Sequence, residues 1–189
     1  MKSKILGSIA LAMLAGALTA NATPVTWAVT GVVMNDGGTV SGSFVFDATT
    51  DTYSAIDFVT TAGSAAGDFG GATYTTLNPG SNFFSNSTLL NLTAGSGTSA
   101  SDLELLWSAS LTNAGGTVTT IASNIQGSVT AEGLCDSAGC TDGFYTSIPK
   151  GRVLASGGTV SSVPLPGAAW LLLSGLVGVG ALARKRRAA

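Results

Sequence analysis

Residues 25–47 read VTWAVTGVVMNDGGTVSGSFVFD, and this stretch decides the fold. Alternation with a period of two predicts half-buried β-strands. The apolar positions on the alternating face are Val25, Trp27, Val29 and Val33 in the first run, and Val40, Gly42, Phe44 and Phe46 in the second. Residues 35–38 between them, Asn-Asp-Gly-Gly, are a strong hairpin signal. The stretch therefore predicts an antiparallel hairpin with one buried face.

Short runs of the same kind recur along the chain, separated by turns rich in Gly, Asn and Asp. They lie at 53–60, 103–111, 117–122, 125–131, 152–156 and 159–163. The segment 61–87 has no clear pattern. Several short strands separated by such turns favour an all-β fold. We expect an antiparallel β-sandwich, jelly-roll-like or similar, over residues 23–162.

The distribution of charge excludes one class of function. Only 10% of the 189 residues are charged, against about 25% in ordinary soluble domains. Residues 23–163 hold ten acidic and two basic residues, a net charge of −8. Binding to nucleic acid needs a basic surface that neutralises phosphates. We therefore expect no nucleic-acid partner.

The first 22 residues have the three parts of a secretory signal peptide. Lys2 and Lys4 supply the positive start, and residues 5–18 are apolar and uncharged. Ala20 and Ala22 then form the Ala-x-Ala pattern of a cleavage site. We expect a signal helix that is removed after Ala22, and hence export of the chain.

Residues 163–189 form a second targeting segment. Val163-Pro164-Leu165-Pro166 precedes a charge-free stretch at 167–183 that includes Trp170, Leu171, Leu172 and Leu173. As a helix this stretch would be about 25 Å long, close to the roughly 30 Å of a hydrocarbon core. Four basic residues follow, and under the positive-inside rule they stay cytoplasmic: Arg184, Lys185, Arg186 and Arg187. The segment predicts a C-terminal transmembrane helix with the domain on the periplasmic side.

This segment resembles the PEP-CTERM sorting signal of Gram-negative bacteria. It has, in the same order, two prolines, a short Gly- and Leu-rich apolar stretch and an Arg-rich end. Leu165 stands where the signature has Glu, so the segment looks like a Val-Pro-Leu-Pro variant. The resemblance implies processing by an exosortase, a membrane protease-transpeptidase, and an association with exopolysaccharide and biofilm. An anchor that is never cut is the alternative.

The sequence contains no His, which removes His-dependent nucleophiles, bases and zinc sites. A hydrolase would have to use two carboxylates, and Asp47, Asp51, Asp57 and Asp68 are the residues to consider. The first two lie in a turn, where bonding to nearby backbone is the simpler role, and Asp57 is expected to face water. Ca²⁺ bound by carboxylates is another alternative. We predict no catalytic residue, no metal motif and no cofactor.

Cys135 and Cys140 are the only cysteines. Four residues separate them, unlike the two of thioredoxin-like redox pairs. In an oxidising compartment we expect them to form a disulfide across a tight loop.

Asn86 and Asn91 match the Asn-x-Ser/Thr pattern, but we interpret both as surface polar residues.

Together these features predict a non-enzymatic protein of the cell surface or extracellular matrix. Its expected partners are the membrane, an exosortase-like protease and exopolysaccharide. One alternative is a membrane-anchored carbohydrate-binding module in which Trp27, Trp107 or Tyr53 stacks on sugars, although the alternating pattern favours a core position for both tryptophans. The other is a carboxylate-based hydrolase.

Overall fold

The structure is a computed structural model that describes residues 23–65, 68–79, 84–124, 128–140, 143–147 and 149–163. Their regular structure is β, apart from short 3-10 turns at Gly97–Ser99 and Ala138–Cys140. The strands are Val25–Met34 (β1), Thr39–Asp47 (β2), Thr52–Thr60 (β3), Thr73–Tyr74 (β4), Thr76–Leu77 (β5), Leu89–Ala94 (β6), Ser101–Trp107 (β7), Thr117–Ile121 (β8), Ala131–Leu134 (β9), Gly151–Ser156 (β10) and Thr159–Ser162 (β11). The expected signal helix and C-terminal helix lie outside the described residues.

The strands form an antiparallel sheet in the order β10-β9-β7-β8-β11-β1-β2-β3-β4, and β6 joins β5 to β7. An additional pairing of β1 with β10 closes this path on itself. Antiparallel neighbours can be joined by short turns, which agrees with the Gly-rich connections in the sequence. The predicted all-β antiparallel class is therefore confirmed.

One large core lies between two parts of the sheet, the part formed by β1, β2 and β3 and the part that contains β6 and β7. Trp27, Phe44 and Phe58 reach it from β1, β2 and β3, while Leu103 and Trp107 reach it from β7. The rings of Phe44 and Trp107 stack at a centroid distance of 5.8 Å. Because apolar residues of both parts meet in one cluster, the architecture is β-sandwich-like.

The β1–β2 hairpin forms as predicted, with one correction inside β1. Gly31 has φ +75°, and the register with β2 shifts between Val29 and Val32. A bulge of this kind inserts one residue and reverses the faces beyond it. Val32 and Met34 are therefore buried, and the prediction that Val33 shares the inner face is wrong.

Strands β6 and β7 depart most from the expected pattern. All seven residues of β7 are buried, as are the first four of β6. Covered on both faces, β6 lacks the alternation that identifies a half-buried strand, and it was not predicted. Asn91 in β6 is only 1% exposed, so its interpretation as a surface residue is wrong.

Candidate functional site

Strands β7, β9 and β10 carry two separate groups of buried charge. Successive side chains of a strand point to opposite faces, and Leu103 and Leu105 point into the core. Asp102 and Glu104 therefore lie on the outer face of β7. Glu132 of β9 is opposite Leu103 in the register, and so it lies on the inner face. The two groups are described in turn.

On the inner face, Arg152 of β10 binds two carboxylates, and we call these three residues the charged triad. Its Nε and Nη2 donate to Glu132 Oε2 at 2.9 and 2.6 Å. Its Nη1 donates to both oxygens of Asp36, at 3.0 Å to Oδ2 and 3.2 Å to Oδ1. None of the three side chains is exposed. The triad connects the β1–β2 turn, β9 and β10 at the point where the sheet closes.

Neighbouring residues complete the hydrogen bonding of the charged triad. Thr60 Oγ1 and Tyr74 Oη donate to Glu132 Oε1 at 2.6 and 2.8 Å. The Arg152 guanidinium lies 5.0 Å from the ring centre of Phe69. Burial raises the pKa of Glu132, and the charge of Arg152 acts against that rise. Each triad side chain is paired and enclosed, so the triad is suited to a structural role.

Gly38 makes room for the charged triad. A Cβ atom at this position would overlap the Arg152 guanidinium. The backbone amide of Gly38 also donates to Asp36 Oδ1 at 2.9 Å. The Gly-Gly pair of the hairpin therefore shapes the turn and also admits a charged side chain from a distant strand.

On the outer face, Asp102 and Glu104 form a second group, which we call the carboxylate pair. The residues are 1% and 2% exposed. Asn78 Nδ2 donates to Asp102 Oδ2 at 2.7 Å, and the Ser128 side chain hydrogen-bonds to Glu104. Asn91 of β6 lies directly opposite Glu104 in the register. The two carboxyl groups are thus embedded among neutral polar side chains.

The carboxylate pair has unusual electrostatics. Burial raises the pKa of Asp102 to about 7, against the lowering effect of its hydrogen bond from Asn78. Burial also raises the pKa of Glu104 to about 7, and the negative charge of Asp102 adds to the rise. Asp102 Oδ1 and Glu104 Oε1 are buried and have no hydrogen-bond partner. A buried oxygen without a hydrogen-bond partner is costly, and each acid has one, so this pair is the strongest candidate for a functional site.

The carboxylates predicted as candidates lie elsewhere, mostly in turns. Asp47 Oδ1 accepts from the backbone amide of Thr49 at 2.8 Å, and Asp68 Oδ2 accepts from that of Ala65 at 2.8 Å. Asp57 is exposed on β3, as expected, and Asp51 is exposed in its turn. The hydrogen bonds of Asp47 and Asp68 fit backbone bonding within a turn.

An open groove of about 490 Å³ lies between the 68–72 segment and the turn after β6. Asp68 is the one carboxylate among the described residues that line it. The carboxylate pair does not reach this groove. A two-carboxylate hydrolase needs both groups at the substrate, and the groove does not provide that arrangement.

The aromatic residues considered for sugar stacking are buried. Trp27, Trp107 and Tyr53 are 1%, 2% and 7% exposed. Trp107 Nε1 donates to Tyr53 Oη at 3.1 Å, and Tyr53 Oη donates to the carbonyl of Asn86 at 2.7 Å. The core position expected from alternation is confirmed, and the carbohydrate-binding alternative loses the platform proposed for it.

The predicted Cys135–Cys140 disulfide is present, with a Cα–Cα distance of 4.7 Å. Both cysteines pack against Ala100 in a small buried cluster. The amide of Cys135 donates to the carbonyl of Ala100 at 2.9 Å, and Cys135 forms a β-bridge with Phe144. The disulfide therefore anchors the loop after β9 to the turn before β7.

Removing this disulfide should have a modest and measurable effect. The closed loop is short, so the Cys135→Ala/Cys140→Ala variant should lose about 2 kcal/mol of unfolding free energy. Denaturant unfolding measures the loss. Wild-type protein in reductant is the matched control and should show the same loss. Two free thiols in wild-type protein purified without reductant would contradict the assignment.

Neither group of buried charge was predicted from the sequence. In the predicted strand at 103–111, Glu104 lies on the polar side of the alternation, and Asp102, Glu132 and Arg152 were not among the candidate site residues. One usable signal was present: Arg152 is one of two basic residues in residues 23–163 and lies within a predicted strand. A lone Arg in an apolar strand of an acidic domain is seldom buried without a carboxylate partner.

The remaining predicted site residues are in the terminal segments. Val163 is described and 46% exposed. The other positions lie outside the described residues: Ala20, Ala22, Pro164, Leu165, Pro166, Trp170, Leu171, Leu172, Leu173, Arg184, Lys185, Arg186 and Arg187. In the described part of the chain, no helix has the length and apolarity needed to cross a bilayer, and no three His, Cys, Asp or Glu residues converge as metal ligands would.

Comparison with known proteins does not place the chain in a family. No protein-family model, no curated protein and no solved structure matches it.

Proposed function

We propose that this chain is an exported protein of the cell surface or extracellular matrix, sorted through a C-terminal PEP-CTERM-like signal and associated with exopolysaccharide. In this proposal residues 23–162 are a β-sandwich cargo domain. An exosortase-like protease recognises the segment that begins at Val163. The domain stays on the periplasmic side while the tail is in the inner membrane, and it then reaches the surface.

The observation that carries the proposal is the position of the last strand. β11 ends at Ser162, immediately before Val163-Pro164-Leu165-Pro166. The amide of Val163 donates to the carbonyl of Thr26 at 2.8 Å, which is the last described contact before the prolines. Cleavage beyond this point leaves every described strand intact, as a removable sorting signal requires.

The other end of the domain supports the same arrangement. Thr23 and Pro24 are exposed, and β1 starts at Val25. The start of β1 pairs with the end of β11, with Trp27 opposite Ser162. Thr23 and Val163, the described residues next to the signal peptide and the sorting segment, therefore lie at the same end of the domain.

A further feature fits an exported protein. A disulfide such as Cys135–Cys140 persists mainly in oxidising compartments.

Mass spectrometry of the mature protein tests both cut sites in one measurement. We expect an N-terminus at Thr23 and a mass that lacks most of residues 167–189.

Deleting residues 163–189 should move the protein from the surface fraction to the medium. The Pro164→Ala/Pro166→Ala variant should accumulate uncut, whereas Leu165→Glu, which restores the signature residue, should be processed at least as well as wild type.

Two results would argue against the proposal in different ways. A mature mass that retains the tail would support the uncut membrane anchor. Unchanged surface fractionation after deletion of residues 163–189 would overturn sorting by this segment altogether.

A further inference from the structure

The carboxylate pair lacks the positive charge that buried acids normally require. Ionised carboxylates are buried only when they are paired or coordinate a metal. The inner face of the same strands satisfies this rule, because Arg152 is bound to Asp36 and Glu132. On the outer face, two carboxyl groups two residues apart on β7 have only neutral donors around them.

The domain has no spare cation for this position. The described basic residues are Lys150 and Arg152. Arg152 is fully engaged on the opposite face of the sheet. Lys150 is exposed and its Nζ lies 4.5 Å from the ring centre of Tyr145. When both acids are ionised, a compensating charge at the carboxylate pair would therefore have to come from outside the described chain.

Two oxygen atoms of the carboxylate pair are available to bind a cation. Asp102 Oδ1 and Glu104 Oε1 are buried without a hydrogen-bond partner, and their side chains leave the same face of β7. The other Asp102 oxygen is held by Asn78 at 2.7 Å, which fixes the orientation of that carboxyl group. Two buried carboxyl oxygens without a hydrogen-bond partner, on one face of the strand, are what a bound cation would use.

We propose that Asp102 and Glu104, together with the amide side chain of Asn91 opposite Glu104, form a binding site for a hard divalent cation of the Ca²⁺ type. The donors are carboxylate and amide oxygens, which Ca²⁺ prefers and combines with backbone carbonyls and water. Imidazole and free thiolate ligands are missing, since the chain has no His and its two cysteines form the disulfide, so Zn²⁺ is disfavoured. Mg²⁺ demands octahedral geometry and gives up its water reluctantly.

Bound Ca²⁺ would connect strand β6 to strand β7. Asn91 belongs to β6, and both carboxylates belong to β7. Asn78, which follows β5, and Ser128, which precedes β9, contact the same two acids. The cation would therefore tie the segments that cover the outer face to the sheet beneath them.

Calorimetric titration of the full chain tests the site. The protein is purified in mild detergent, stripped with EDTA and titrated with CaCl₂ near pH 8. We expect saturable binding of one Ca²⁺ per chain, with MgCl₂ weaker, and a rise in the unfolding temperature on Ca²⁺ addition. Asp102→Asn and Glu104→Gln should each weaken binding on the order of 100-fold, because ligand charge sets Ca²⁺ affinity.

Asp57→Asn is the matched control, since Asp57 is an exposed acid on another strand of the same sheet. It should bind Ca²⁺ as wild type does. Terbium luminescence, with Tb³⁺ in place of Ca²⁺, provides a second measurement and should be lost in the same two variants. Absence of binding at millimolar CaCl₂ would overturn the proposal, as would equal binding by wild type and the Asp102→Asn/Glu104→Gln variant. This outcome is independent of whether the tail is a sorting signal.

Discussion

Replacing Arg152 with alanine is expected to lower the free energy of unfolding by about 3–5 kcal/mol. The substitution leaves Asp36 and Glu132 buried without the cation that both of them bind at 3.2 Å or less. An unpaired buried charge costs much more than a lost surface ion pair. Chemical denaturation of wild type and variant measures the difference.

Lys150→Ala is the control for this prediction. Lys150 lies two positions earlier and is exposed, and the one described contact of its side chain is with the Tyr145 ring at 4.5 Å. An exposed contact of this kind is worth about 0.5–1 kcal/mol, so the control should lose no more than that. If Arg152→Ala were as mild as Lys150→Ala, the charged triad would not have the structural role assigned to it.

A second comparison separates the charge of Arg152 from its shape. Arg152→Lys keeps the positive charge but loses the planar fork that reaches both carboxylates. It should fall between wild type and Arg152→Ala. Adding Glu132→Gln to Arg152→Ala should recover part of the lost stability, because one of the two stranded charges is then removed. With Glu132→Gln alone as the remaining variant, this double-mutant cycle measures the coupling between the two side chains.

The sequence predicted strands where one face is buried and the other is wet. In β2 the buried residues Val40, Phe44 and Phe46 share one face, Thr39, Ser41 and Ser43 lie on the other, and the strand was predicted almost to the residue. In β6 both faces are covered, so Leu89, Leu90 and Leu92 follow no period that a local pattern can detect. The period-two alternation of apolar and polar residues arises because one face of a strand is exposed to water. It is absent where neighbouring segments cover that face.

The same dependence on local patterns explains why the charged triad and the carboxylate pair were not predicted from the sequence. Glu104 stands between two leucines that enter the core, which is the pattern of a solvent-facing residue, yet segments from elsewhere in the chain bury it. Arg152 and Asp36 are 116 positions apart, so no local motif could predict their contact. The short-range pairing of Cys135 with Cys140, by contrast, was predictable because the two are five positions apart.

The carboxylate pair should also make the stability of the cation-free protein depend strongly on pH. In the folded state the pKa values of Asp102 and Glu104 are raised to about 7, while in the unfolded chain both acids titrate near 4. The folded state therefore holds protons that the unfolded state releases. Stability should be greatest below about pH 4.5 with respect to this pair, and should fall as pH rises to about 8. Each tenfold difference in proton affinity is worth about 1.4 kcal/mol, so the total loss should reach several kcal/mol.

The Asp102→Asn/Glu104→Gln variant isolates this contribution, because amides keep the shape of the acids without the charge. The burial-raised pKa of Glu132 acts in the same direction in both proteins and cancels in the comparison. In EDTA the variant should lose less stability than wild type between pH 5 and 8 and be the more stable of the two at pH 8. Adding Ca²⁺ at pH 8 should restore wild type and leave the variant unchanged. Parallel pH profiles for the two proteins in EDTA would show that the pair is hydrated, and would remove the electrostatic reason for a cation there.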